Sequence, residues 1–159
     1  MKLLLLGLLA ITIVALVAFL LAKGDHAINA INSAGDHDGG RIRRLAESAF
    51  TAPHLVAGKG TTAGLHVAPC AATGVVPIGF ALDEAAAGEN VAVDTGAGKT
   101  QIGVASAAIA SDVLVYTATG GKLTSTGGTG KYLMGRSVTA AAADGDEFEL
   151  IPCFPVVQP

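Results

Sequence analysis

The stretch Ile78-Gly79-Phe80-Ala81-Leu82-Asp83-Glu84-Ala85-Ala86-Ala87-Gly88-Glu89-Asn90-Val91-Ala92-Val93 decides the fold, because it recurs. The second copy is Met134-Gly135-Arg136-Ser137-Val138-Thr139-Ala140-Ala141-Ala142-Ala143-Asp144-Gly145-Asp146-Glu147-Phe148-Glu149-Leu150, with Asp144 as one inserted residue. Each copy reads strand, Ala-rich corner, Gly–acid turn, strand. In the closing strand Val91 and Val93 alternate with Asn90 and Ala92, as Phe148 and Leu150 alternate with Glu147 and Glu149. A two-residue period sends each set to one face of a sheet. Two such units are expected to pack as pseudo-symmetric halves of one small barrel.

Outward from the repeat, the chain from Pro53 to Pro155 keeps the same texture of short β-type runs between Gly-rich turns. The expected strands are His54–Ala57, Leu65–Ala68, Val75–Leu82, Asn90–Asp94, Gln101–Ala105, Val113–Ala118, Lys122–Ser125, Tyr132–Thr139 and Glu147–Ile151. A spacing of about ten residues suggests a sandwich or barrel. The Ala runs at 85–87 and 140–143 allow one helical turn at most before Gly88 or Gly145. The fold class is mainly β: a small Greek-key-like or tulip-like barrel over 53–159, preceded by an apolar helix over 1–23 and a flexible linker with an extended basic arm over 24–52.

Leu3 to Ala22 is an unbroken apolar run of the length a membrane-spanning helix needs, with Lys2 and Lys23 at its flanks. It reads as a membrane anchor, an export signal or a helix buried between copies in an assembly. The polar stretch from Gly24 to Gly40 reads as a linker. Arg41-Ile42-Arg43-Arg44-Leu45-Ala46-Glu47-Ser48-Ala49-Phe50 follows, either a solvated charged segment or an arm that docks on an acidic partner.

The formal net charge of −3 leaves no basic field to hold nucleic acid. Charged residues make up 14%, below the roughly 25% of an average domain, and Trp is absent. Small side chains fill space that aromatics usually fill, and such a core gains from association with copies of itself. Cys70 and Cys153 each follow a proline and form no Cys-x-x-Cys motif. They read as two free, buried small hydrophobes; the alternative is one disulfide joining the start of the β domain to its end.

No catalytic constellation emerges. Gly96-Ala97-Gly98-Lys99-Thr100 has Val93 where a phosphate loop needs its first glycine, and a strand pattern follows it. It reads as a hairpin turn. Asp36-His37-Asp38 sits in the linker, where alternating residues fix no metal geometry. His26, His54 and His66 pair with no nucleophile. The serines at 106, 111, 125 and 137 lack a nucleophile elbow. Asp83-Glu84 and Asp144 to Glu147 are acidic turns without a calcium loop. Neither a cofactor nor a metal site is expected, and the chain does not read as an enzyme.

The region from about Gly39 to Pro155 resembles the capsid decoration (cement) proteins of tailed phages. The order of elements carries the resemblance. The basic Arg41-Ile42-Arg43-Arg44 precedes a strand near His54-Leu55-Val56; Pro77-Ile78-Gly79 leads into its acidic-Ala corner. Asp112-Val113-Leu114-Val115-Tyr116 is followed by Thr119-Gly120-Gly121-Lys122-Leu123, and Gly135, an Ala-rich run and Asp144-Gly145-Asp146 lead to a last strand. The resemblance implies a tulip-like barrel, commonly a homotrimer, on the capsid surface of the virion. It also implies an arm, here Arg41–Phe50 with Arg41, Ile42, Arg43, Arg44 and Phe50 as contacts, that binds the major capsid protein. The apolar run 3–22 departs from that pattern. It leaves as the alternative a membrane-anchored or exported extracellular protein whose β domain forms a coat or binds a partner.

Overall fold

The computed structural model describes residues 40–62, 66–96 and 99–159. The expected apolar helix at 1–23 and the linker from Gly24 to Gly39 lie outside them. Among the described residues no helix is long and apolar enough to cross a membrane.

The described chain is mainly β, with ten strands and one short 3-10 turn. The first five strands are β1 (Arg41–Ala46), β2 (Val56–Lys59), β3 (His66–Pro69), β4 (Pro77–Ala81) and β5 (Asn90–Asp94). They close into a barrel in the order β1-β3-β2-β4-β5, with β5 antiparallel to β1 from Arg41↔Asp94 to Leu45↔Asn90. The next five are β6 (Gln101–Val104), β7 (Leu114–Thr117), β8 (Leu123–Thr124), β9 (Tyr132–Ser137) and β10 (Glu147–Val157). They form a sheet in the order β6-β10-β9-β7-β8. Its two edges meet at a single parallel bridge, Ala105↔Leu123.

The duplication therefore runs through the whole β body, not only through the two stretches that announce it. Read as a ring, the second order repeats the first strand for strand, β6 standing for β1 and β10 for β5. The bridge Ala105↔Leu123 repeats the parallel pair Ala46↔Val67. Phe50↔Ala85 repeats as Ile109↔Ala141. Both units shift register at the same place, between Ala57 and Gly58 and between Val115 and Tyr116. His54 and Asp112, which donate to Ala81 and Ser137, both take φ 63°, a conformation that costs a side-chain-bearing residue energy. Each repeat thus builds its own five-stranded unit, where the sequence suggested two halves of one barrel.

The close approach of strands explains the paired glycines. A Cβ at Gly79 would strike the carbonyl oxygen of Asp94, and one at Gly135 the carbonyl oxygen of Ile151. Only hydrogen fits where β4 meets β5 and where β9 meets β10. Around this scaffold lie two cores. Phe50, Val67, Val91 and Val93 fill the first unit, and Ile109, Leu123, Phe148 and Leu150 the second. Val56 and Phe80 point out of the first unit and pack in the second core, while Val104 packs in the first. These exchanges join the two units side by side.

The segment expected to be an extended arm is instead β1. Ile42 packs against the first core and Ala46 is buried, so the strand alternates inward despite its arginines. It lies between β3 and β5 and seals the barrel, and a barrel has no edge to leave exposed. The β domain accordingly begins near residue 41, before Pro53. At the other end, β10 runs on past Ile151 to Val157.

Candidate functional site

The acidic corner of each repeat is structural. In the first, Glu89 Oε2 accepts the N–H of Ala86 at 2.9 Å. In the second, Asp146 Oδ2 accepts those of Ala142 and Ala143 at 3.0 and 2.9 Å. An acid in the turn ties down the Ala-rich corner in both, with Gly88 and Gly145 at φ 86° and 89° just before it. Asp144 pairs with Lys122 at 2.7 Å, and Asp112 with Arg136 at 2.6 Å. His54 lies 3.9 Å from Glu147, across the two units. Among the described residues no three His, Cys, Asp or Glu side chains gather as metal ligands do.

One carboxylate is buried. Asp94, 2% exposed, closes β5 at the passage between the units. Burial alone would raise its pKa, but the Lys99 ammonium at 2.9 Å and the N–H of Gly96 at 2.9 Å outweigh burial and hold it below the usual carboxylate value. An ion pair thus ties Lys99 back to the end of β5. Lys99, which gives the stretch its phosphate-loop look, is engaged with this carboxylate.

Two surfaces remain free for contact. The first is the outer face of β1. Arg41 and Arg43 are exposed on it. Arg44, half-buried, falls on the face of Ile42 and Ala46 by alternation, and its Nη1 donates to the carbonyl of Arg43 at 3.0 Å. Among the described residues no carboxylate lies within ion-pair distance of the three. Phe50, which sequence reasoning placed with them as a contact, is 1% exposed and belongs to the first core. Its side chain is enclosed there, and Ile42, half-buried, packs in part against the same core.

The second surface was not foreseen. Beyond Leu150, β10 leaves the side of β6 and continues with only β9 beside it. Ile151, Phe154, Val156 and Val157 are exposed there, Phe154 by 93%. Next to them a groove of ≈ 440 Å³ lies between Pro77 and Ile78 of β4, Thr95 after β5, and Pro152 and Phe154 of β10. The sequence signal was the pair Val156-Val157 after Pro155, β-branched residues that favour a strand. Pro152 and Pro155 masked it, since proline in a strand marks an edge or an end. Cys153 is exposed in this tail and Cys70 is fully buried; both thiols are free. Burial pushes the Cys70 thiol up to about 11.

The described residues thus form a duplicated β body with acid-tied corners, two buried cores and exposed basic and apolar surfaces. Its sequence over residues 46–151 matches the phage cement protein family, and the chain belongs to that family. Membership gives it a capsid-associated structural role in the virion; the family is one of structural proteins, not of enzymes. No curated protein sequence matches the chain. Among solved structures it is similar to the N base of head fiber gp8.5 of bacteriophage phi29, at a TM-score of 0.59 and 17% identity, over 75% of this chain and 98% of that one. At that identity the likeness is one of fold.

Proposed function

We propose that the chain decorates the outer surface of a phage capsid and stabilises it by binding the major capsid protein and neighbouring copies of itself, as a homotrimer. Membership of the cement family carries this reading, and the head-fibre base of similar fold supports it. The basic outer face of β1 supplies a surface for an acidic patch on the capsid, in place of the free arm the sequence suggested. Arginine suits such a patch because its planar fork holds carboxylates by two parallel hydrogen bonds. Many modest contacts repeated around a lattice sum to firm attachment without any one being strong.

The experiment is co-sedimentation of the full chain with purified heads, followed by heating. Decorated heads should bind the chain and rupture at a higher temperature than bare heads. The double variant Arg41→Glu, Arg43→Glu should lose most of the binding while its thermal unfolding is unchanged. Equal rupture temperatures with and without the chain would end the proposal. A second reading, a membrane-anchored coat protein, rests on the apolar run Leu3–Ala22. Recovery of the uncleaved chain with membranes, not particles, would favour it.

A further inference from the structure

Among the described residues, four of the eight large hydrophobic side chains that stand exposed lie within Ile151–Val157. Soluble monomers scatter such residues singly, and a cluster marks a contact surface. Phe154 stands out at 93% exposure in the bulge between the paired residues Pro152 and Val156, and the prolines at 152 and 155 restrict the backbone that carries it, which lowers the ordering cost of burying it. The groove beside it opens between β4 and the same tail. One surface thus carries both an aromatic knob and an apolar hollow large enough for such a ring.

We infer that the tail of β10 is the interface between copies of this chain, with Phe154 of one copy seated in the groove between β4, β5 and β10 of another. This rests on the proposal that copies associate, and gives that contact its place. The chemistry of the two free surfaces separates their partners. The β1 face is cationic and asks for an acidic patch. The groove is lined by no charged residue, so its match is an uncharged apolar surface, and the knob beside it is one. The backbone edge of the tail is a poor alternative. Among the described residues no strand pairs with it beyond Leu150 on the β6 side, but Pro152 and Pro155 withhold two N–H donors, which disfavours an added strand. Side chains make this contact.

The test uses the full chain and Phe154→Ser, a change at a side chain that no core contains. Sedimentation equilibrium should show wild-type mass rising with concentration, and the variant should self-associate with a dissociation constant weaker by about tenfold or more, as loss of a central aromatic anchor implies. Alkylation of Cys153, the exposed thiol next to Phe154, reads the same contact locally, because Cys70 is shielded. Its rate should fall with concentration in the wild type, and in the variant should fall only at concentrations about tenfold higher or more. A wild type that stays monomeric would overturn the interface; if it still bound heads, the capsid role would stand. Self-association with an unchanged Cys153 rate, as contact through another region would give, overturns it too. So does a variant that associates normally but no longer binds heads, which would turn the tail toward the capsid.

Discussion

The two repeats share one plan and differ in how they end. The first is sealed: β1 bonds to both β3 and β5, and its last strand stops at Asp94, whose buried carboxylate anchors the turn that follows. The second is closed by one bridge, and its last strand does not stop. By register, Phe80 stands opposite Asp94 as Arg136 stands opposite Ile151, so Asp94 and Ile151 are equivalent positions. One became a buried acid that ends a strand, and the other an exposed isoleucine that opens an apolar tail. One scaffold thus occurs twice, and its last position carries a buried anchor in the first copy and an exposed apolar strand in the second.

The equivalence breaks most sharply, if it breaks at all, at the paired glycines. Gly79→Val and Gly135→Val each place side-chain atoms against backbone that cannot move without parting two strands. Each should cost more than about 4 kcal/mol, the range reserved for disrupted packing and strain, and leave the protein largely unfolded in thermal melts. A severe effect at one position and tolerance at the other would mean that the two units are not held by the same approach of strands.

The cores offer the next test. The aromatic that fills the first unit is Phe50, at the position held by Ile109 in the second, while Phe148 fills the second at the position of Val91. Phe50→Ala and Phe148→Ala should each destabilise by about 3–5 kcal/mol in denaturant melts. Because the two rings lie in different core clusters, the double variant should be additive to within about 0.5 kcal/mol. Strong non-additivity would show the two units to be one core.

Much of this plan was legible before any coordinates. The strands were readable because β-branched runs alternate between glycine turns: among the described residues nine of the ten overlap an expected strand, with β2 displaced toward Lys59 and β10 running on past Ile151. The repeat was readable because the Ala corner needs an acid to cap it and a glycine to turn it. What escaped reading shares a physical cause. In β1, Ile42 and Ala46 share the inward face with Arg44 between them, so the apolar alternation is broken in the sequence and only the pairing with β3 and β5 reveals the strand. Basic charge suggested a surface role for the whole segment, yet a strand has two faces and Phe50 lies beyond it in the core. In the tail, proline suggested an end because it withholds an N–H, but on the open edge of a sheet that N–H has nothing to bond. The groove joins residues far apart in sequence, so no local pattern announces it.

The Asp94 anchor separates the repeats by pH. Its folded pKa lies below the ordinary value, so the unfolded chain takes up a proton first as pH falls. Its contribution is complete above the unfolded value of about 3.9 and is lost as pH drops through the folded one. Asp94→Asn should cost about 1.5–3 kcal/mol at pH 7, the range for a hydrogen bond to a charged group. Wild type and variant should converge in urea melts below about pH 4. A gap that persists in acid would assign the loss to packing instead of to the pair with Lys99.

The smallest effect concerns Glu47, whose equivalent in the second repeat is Ser106: each donates its N–H to a parallel neighbour, Val67 or Leu123. Glu47 alone reaches onward. Its carboxylate accepts the hydroxyl of Thr61 and the N–H groups of Thr61 at 2.7 Å and Thr62 at 3.1 Å, tying down the start of the β2–β3 connection. The bond from the Thr61 hydroxyl, with that from the Thr62 N–H, holds the Glu47 carboxyl below its usual value. The site is open to water, so Glu47→Gln should leave the melting temperature nearly unchanged. It should speed amide exchange at Thr61 and Thr62 while amides of the β7–β8 connection, which has no such tie, exchange as before. The same selective loosening should appear in the wild type as pH falls through the Glu47 pKa. Faster exchange in both connections would mean that Glu47 supports the barrel as a whole and not one loop of it.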